Sequence, residues 1–549
     1  MKSNFLYPFL FACFFVSLIA LEGILCRPLL PVDETRYVTV AWEMFSGKHW
    51  ILPTLNFEAY HHKPPLLFWM IMTLWSIFGP LQGVAQAVPY IIFTGLIAAN
   101  MYLAKSLFTH DERAPTWMMI LTLGSLPLLI YSNLIMFDLL LTVFAILSLA
   151  SLWNFAKTGH IKHILILTLC IGLGGLAKGP VILLNIIFPI LLYPVWLQPT
   201  NKIISNKKWY GLNILAIVGG IGIALLWAIP AAMQGGAEYA NKIFWGQTAG
   251  RVENSFDHGR PIWWYLPLLP VILCPWIFIP KLWRNILKWP ETSIYFDGQV
   301  LRFLAAWVIP VFICFCLISG KQIHYLFPCL VGAFTFIGMV ISHDKLPQKI
   351  CDVILPASII TFLILLPALL KLFSMEMSVL FNRHLMDDVF MRITAIYSIG
   401  GAILAIGLFI FVRKKSCIHQ FVAITLSMVI FMGVLHLEGE KSFYKNYDLT
   451  PMANIIHANK GRPMAFLRNY HGEWGYMARL DHPVEQILPE ELPAWFKKHP
   501  NGIAFLRTSK EEEFRGKYDV IFEMPYKMNN TFTILVPKGT GKKFVHSQQ

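Results

Sequence analysis

Run after run of apolar residues punctuates this chain, and many reach the roughly 20 residues needed to cross the hydrocarbon of a bilayer. The first runs from Leu6 to Leu25, and others follow as far as about residue 436. Inside a bilayer every backbone N–H and C=O must find its partner within the protein, so such runs can only be helices. That makes the chain a polytopic α-helical membrane protein. Composition agrees, with 56% of the 549 residues hydrophobic and only 14% charged, where soluble domains carry about 25%. The residues after the first run, CRPLLPVDE, hold no small-residue cleavage site, so that run reads as a retained anchor.

Spans are expected near 6–26, 84–104, 114–132, 137–156, 161–177, 180–197, 210–230, 262–280, 302–319, 324–342, 353–373, 391–412 and 418–436, 13 in all. With these spans six basic clusters fall on one face: Lys105/Arg113, Lys157/Lys162, Lys202/Lys207/Lys208, Lys281/Arg284/Lys288/Arg302, Lys345/Lys349 and Arg413/Lys414/Lys415. The positive-inside rule makes that face cytoplasmic. The net charge of +14 therefore reports topology and a bilayer partner, not nucleic acid. Residues 64–79 are apolar but short, bounded by Pro-Pro and Gly-Pro, and are expected to lie at the interface. A span there would put the first loop, about 27–83, and the later outer loops on opposite sides.

From about 437 to 549 the chain turns polar. Strand-like runs appear at Met464–Leu467, Ile503–Leu506, Val520–Phe522 and Phe532–Val536, with a helix-like segment at Pro489–Lys498. This reads as a small α/β domain on the outer face, following a membrane domain at 1–436. The nine cysteines show neither metal-type spacing nor a disulfide framework.

That topology gathers ionisable residues from five segments at one surface. The first loop, VDETRY to YHHKPPL, carries Asp33, Glu34, Arg36, Tyr37, Tyr60, His61, His62 and Lys63. Asp138 opens the fourth span, and Lys178 ends the fifth. The 231–261 loop carries Glu238, Arg251, Glu253, Asp257, His258 and Arg260, ahead of the aromatic run Trp263–Tyr265. Lys321, His324 and Tyr325 lie between the ninth and tenth spans. Ionisable groups at membrane depth are costly and mark cavities or partners. Each also has a plainer use: acids favour helix N-termini and cations C-termini, Lys63 can snorkel to headgroups, and Trp263–Tyr265 suits an interface belt.

VDETRY, YHHKPPL, IMFDLLLT, HGRPIWWYLP and SGKQIHYLFP follow in an order that resembles the bacterial lipid A 4-amino-4-deoxy-L-arabinose transferases of the GT-C superfamily, relatives of the protein O-mannosyltransferases. The resemblance implies a GT-C fold and an undecaprenyl-phosphate sugar donor. It also implies a lipid A phosphate acceptor at the outer leaflet of the bacterial inner membrane, and a chain acting as a monomer. By the same resemblance Asp33 is the first-loop acid, Tyr60 and Lys63 the loop's donor-binding pair, and Asp138 the second acid. His258 is the histidine before the aromatic run and Tyr325 the tyrosine after Gly-Lys. His62 stands where similar transferases often have a glutamate able to share zinc with the histidine matching His258. A His62/His258 pair could bind zinc but is an incomplete site. WGQT, Trp245–Thr248, is a second departure, where relatives tend to be more charged.

The chemistry such residues support is charge neutralisation. A sugar leaving lipid phosphate needs fixed cations, for which Lys63 is the first candidate, with Arg251, Arg260 and Lys321 behind it and Tyr37, Tyr60 and Tyr325 lining the donor. Asp33 and Asp138 would orient the sugar and support an oxocarbenium-like centre. Against a hydroxyl acceptor Asp33 would instead be a general base. Other polyprenyl-phosphate sugars and other acceptors, a glycan or a protein, remain within this reading. A transporter is the competing class. Such proteins tend to show charge near the midplane and two related halves, whereas here charge gathers at one surface and no repeat is evident.

Overall fold

The computed structural model describes residues 3–198, 202–246, 259–343, 346–381, 394–508, 514, 516–527 and 530–541. Among the described residues, eight helices are long and apolar enough to cross a membrane, or nine if a bent pair counts as one. They begin with Phe5–Cys26, Gln82–Leu107 and Phe137–Thr158 and end with Cys417–Lys441. The shorter helices Lys162–Lys178, Val181–Leu191 and Ile396–Val412 pack among them.

The sequence reading needs correction in three places. The run at 114–132 is two helices, Ala114–Leu123 and Leu126–Ser132, meeting at 67°. The break falls at Gly124-Ser125, with Pro127 inside the first turn of the second helix. The run at 262–280 is no single helix: prolines 267, 270 and 275 divide it into short turns at Ile262–Tyr265, Leu269–Ile272 and Trp276–Phe278. It nonetheless runs the length of the neighbouring Ile323–Ser342 helix. Gly259 pairs with Gly320 at one end, and at the other Lys281 Nζ donates to the carbonyl oxygens of Ile341 (2.8 Å) and His343 (3.3 Å). Finally, the last bundle helix continues to Lys441, past the expected boundary at 436.

The 27–81 segment lies over one end of the bundle. Its helix Asp33–Ser46 carries both acids in the first turn, where the helix dipole favours them. The helix Leu66–Phe78 has 13 residues, about 20 Å at 1.5 Å per residue, too short to span. Between them β1 (Thr54–Leu55) and β2 (Glu58–Ala59) form a hairpin whose turn residues Asn56 and Phe57 have φ of 56° and 63°, as such tight turns require. Glu43 holds that turn by accepting from the Asn56 (2.7 Å) and Phe57 (2.9 Å) amides.

The C-terminal sheet has the order β4-β3-β5-β7-β6. β3 (Met464–Leu467) is parallel to β4 (Glu485–Ile487) and β5 (Ile503–Thr508), while β7 (Asn530–Val536) is antiparallel to β5 and to β6 (Asp519–Tyr526). All of β3 is buried, because alternate residues serve two cores. Met464 and Phe466 pack with Trp474, and Ala465 and Leu467 with Trp495 and Phe496 of the helix Leu492–Lys498.

The sheet is docked on the 27–81 segment. Asn56 exchanges hydrogen bonds with the Val484 backbone (3.0 and 2.8 Å). Trp42 Nε1 donates to Leu480 O (3.1 Å), and Tyr476 stacks on Trp75 with centroids 5.1 Å apart. Burial raises the Glu43 carboxyl from 4.5 to about 7, overcoming the hydrogen bonds that favour its charge. The folded chain therefore binds the extra proton between those pH values, and stability from this group is present below 4.5 and lost as pH rises through 7. Thermal unfolding of the full chain in detergent should show that loss between pH 5 and 7, and Glu43→Gln should flatten it. An unchanged slope in the variant would remove Glu43 as the cause.

Candidate active site

The acidic pair is divided between two tasks. Glu34 is buried: its carboxylate takes Arg27 and accepts from the amides of Leu30 and Ile135, each at 2.8 Å. Arg27 also donates to Asn133 O, and Gln86 donates to Arg27 O at 2.9 Å. This buried network ties the end of the first membrane helix, the first loop and the turn at 133–135 together. Capping is not the role of Asp33 either. Its side chain is 57% exposed and lies 3.9 Å from Arg36, while the Tyr37 hydroxyl donates to it at 3.4 Å. Burial, reinforced by Asp33, raises the Tyr37 phenol well above its ordinary range, so that hydroxyl remains a donor.

Lys63 completes this corner. Its ammonium lies 6.0 Å from the Tyr37 ring centroid and 5.5 Å from that of Phe137, a cation held against aromatic faces. Tyr37, Phe68 and Phe137 are mutually in contact, edge-on or tilted, and Tyr60 adds a further edge to Phe68. Phe137 starts the helix whose next residue is Asp138, so the aromatic corner sets the first-loop cation beside the second acid. The two charges lie within electrostatic reach of one another.

Asp138 is buried and locked. Lys178 forms an ion pair with it, and His324 Nε2 stands 3.8 Å away. Lys178 ends its helix, where Gly179 at φ 76° breaks the register, a backbone setting glycine adopts without strain. His324 Nδ1 hydrogen-bonds the Tyr131 hydroxyl at 3.0 Å, and Tyr325 places its ring 4.5 Å from the Lys178 ammonium. Lys178 and His324 had been singled out among the outer-face ionisable residues without a role. Tyr131 and Phe137 carried no sequence signal, since an aromatic in an apolar run reads as packing.

The expected residues do not all converge. Lys321 is buried and donates to the carbonyls of Arg260 (3.1 Å) and Ile318. It pins the Arg260 strand to the 318–321 turn and is not aimed at a donor. Arg260 is exposed on that strand, its amide on Ser319 O at 3.0 Å. The aromatic run also divides: Trp263 is exposed, whereas Tyr265 is buried and donates to Gln322 O at 3.0 Å. Arg251 and His258 lie outside the described residues, as do Gln247 and Thr248 of WGQT. His62 lies against His61, ring centroids 4.2 Å apart, and against Tyr60 at 5.3 Å. Among the described residues no three His, Cys, Asp or Glu side chains converge as a metal would need, and His258, the other half of the pair with His62, lies outside them.

Chemically, the corner offers an accessible carboxylate, a cation over aromatic faces, and a second carboxylate fixed by a buried pair. The arrangement suits binding and charge stabilisation of a phosphorylated sugar more than proton abstraction.

The chain resembles known proteins in sequence and in fold. Residues 62–229 match the family model described as dolichyl-phosphate-mannose-protein mannosyltransferase. The chain is 30% identical over 317 residues to an undecaprenyl phosphate-alpha-4-amino-4-deoxy-L-arabinose arabinosyl transferase of Pseudomonas aeruginosa, covering 56% of this chain and 54% of that one. A transferase of the same name from Serratia proteamaculans is 27% identical over 337 residues, covering 59% and 57%. The chain thus spans about half the length of the curated relatives it matches. The crystal structure of ArnT from Cupriavidus metallidurans bound to undecaprenyl phosphate superposes with a TM-score of 0.75 at 16% identity, over 95% of this chain and 98% of that one. The likeness extends to the fold, that of a polytopic helical membrane protein.

Proposed function

We propose that this chain is a membrane glycosyltransferase that moves a sugar from undecaprenyl phosphate to a lipid A phosphate, with 4-amino-4-deoxy-L-arabinose as the favoured sugar. The reading rests on one observation above the others. Asp33 and Tyr37 of one helix, Lys63 and Asp138, from three segments in all, meet at one end of a bundle with the fold of a transferase crystallised with undecaprenyl phosphate. The 13-span reading and the charge bias then put this site and the C-terminal unit on the periplasmic side of the bacterial inner membrane, in a chain acting as a monomer.

In the proposed reaction the anomeric C–O bond breaks with its electron pair leaving on the lipid phosphate. Lys63 neutralises that charge as it forms. Asp33, accessible and near Tyr37, orients the sugar and stabilises positive charge at the anomeric carbon. Asp138, held by Lys178, serves as a fixed acceptor for a sugar hydroxyl or amine. A phosphate acceptor is already anionic, so no strong base is required, and no step is routed through a metal.

Mass spectrometry of lipid A from cells with and without the chain tests this, in cells shown to make the lipid-linked amino sugar. A phosphate-linked amino sugar is expected only with the chain. Unchanged lipid A would overturn the acceptor and direct the search to glycans and secreted proteins.

A further inference from the structure

The C-terminal unit does more than cover the bundle: its loop 470–476 delivers charge to the first-loop helix. The Thr39 hydroxyl donates to Gly472 O and accepts from the Tyr476 amide, both at 3.0 Å. The seat is tight, since a Cβ at Gly475 would stand 2.5 Å from the Thr39 methyl and one at Gly472 2.6 Å from Leu55. Arg36 lies three residues before Thr39, on the same helix face. His471 and Glu473, flanking Gly472, come within electrostatic reach of it. Glu473 is wholly buried, and Arg507 of β5 stands 3.6 Å from it. Lys527, in the β6–β7 turn, is anchored by its amide on Asn446 O at 2.9 Å, within electrostatic reach of Arg507, Glu473 and Asp33.

Arg36, Arg507, Lys527 and His471 therefore face two carboxylates, Asp33 and Glu473. The Arg36–Asp33 and Arg507–Glu473 separations, 3.9 and 3.6 Å, are looser than the roughly 2.7–2.9 Å of a fully made charge-assisted bond. Burial, then Arg507, lowers the Lys527 ammonium, and burial, then Arg36 and Arg507, lowers His471. With His471 thereby neutral, the three cations Arg36, Arg507 and Lys527 still outnumber the two carboxylates, and an anion is the ligand that relieves the excess, with His471 as a hydrogen-bonding partner.

We propose that Arg36, His471, Arg507 and Lys527 form an acceptor subsite for the phosphate of a phosphorylated glycolipid. The proposal rests on the transferase reading above and assigns the C-terminal unit its part in it. Transfer between two phosphates needs two sets of cations, one for the phosphate that leaves and one for the phosphate that attacks. Asp33 borders both sets: it accepts from Tyr37, beneath Lys63, on one side, and on the other lies 3.9 Å from Arg36 and within electrostatic reach of Lys527. An oxygen of the acceptor phosphate bonds to the anomeric carbon as the bond to the polyprenyl phosphate breaks, the electron pair leaving on the latter.

The test uses the full chain in lipid nanodiscs and measures binding of three probes: bisphosphorylated lipid A, the same lipid dephosphorylated, and undecaprenyl phosphate. Arg507→Gln and Lys527→Gln should each weaken bisphosphorylated lipid A about tenfold, as expected for one charged hydrogen bond. Binding of the other two probes should be unchanged, Arg507→Lys should recover most of the loss, and Arg468→Gln on the exposed surface of the same unit should have no effect. A fall in undecaprenyl phosphate affinity instead would assign the cluster to the donor and overturn the proposal. Equal wild-type binding of lipid A with and without its phosphates would also overturn it. Failure of the transferase reading looks different: wild type binds the phosphorylated lipid as expected yet transfers no sugar to it.

Discussion

Lys63→Ala should lower the rate of sugar transfer by about 10²–10³-fold, the usual cost of removing one preorganised group that stabilises transition-state charge. The chain should still insert and fold. Lys63 lies over the rings of Tyr37 and Phe137, and its removal leaves aromatic contacts among Tyr37, Phe68 and Phe137 that do not depend on it. Because the charge it meets grows as the phosphate leaves, the loss should fall mainly on kcat, with a smaller rise in the donor KM. Lys48→Ala is the control. Lys48 is an exposed cation in the same loop region, so it tests whether positive charge near the membrane surface is enough. Equal losses in the two variants would reduce Lys63 to general attraction for an anionic lipid. Arg could not replace it silently, since a planar fork over two aromatic rings presents its charge differently from a compact ammonium.

Much of this arrangement could be read before any coordinates. The short apolar run at 64–79 is a 13-residue helix because Pro-Pro and Gly-Pro limit it. The strand at 530–536, NTFTILV, falls where β-branched and aromatic residues cluster, and that at 464–467 is a short apolar run, MAFL. What could not be read depends on tertiary partners. Asp33 and Glu34 are adjacent acids in one helical turn, and only the position of Arg27 and the Ile135 amide decides that Glu34 is structural while Asp33 stays accessible. Lys321 resembles a site cation in sequence, yet the fold brings the carbonyls of Arg260 and Ile318 to it, which take two of its three donors. The proline-broken stretch at 262–280 has the hydropathy of a span without its hydrogen-bond pattern, so hydropathy alone reads it as a helix. The roles of His471, Arg507 and Lys527 were hidden for the same reason: hundreds of residues separate them from Arg36, and the Thr39–Gly472 contact is what joins them.

Asp33→Asn and Asp138→Asn should both lower transfer by about 10²-fold or more, but for reasons that stability separates. Asp33 is over half exposed and its nearest cation is 3.9 Å away, a pair of the kind whose loss costs about 1 kcal/mol or less. Asp33→Asn should therefore unfold at nearly the wild-type temperature while transfer falls about 10²-fold or more, as charge support at the anomeric carbon is lost. Asp138 is buried in its pair with Lys178 and has His324 beside it. Replacing it by Asn strands a buried ammonium, which costs about 3–5 kcal/mol, so this variant should be markedly less stable as well as inactive. The double variant Asp138→Asn/Lys178→Met removes the stranded charge and should regain most of that stability. If the Asp138–Lys178 pair served only to join its two helices, the double variant would regain transfer too. If Asp138 contacts the sugar, it should stay inactive at restored stability. Thermal unfolding and transfer measured on the same preparations distinguish the two, and recovery of transfer would move Asp138 from the reacting centre to its support.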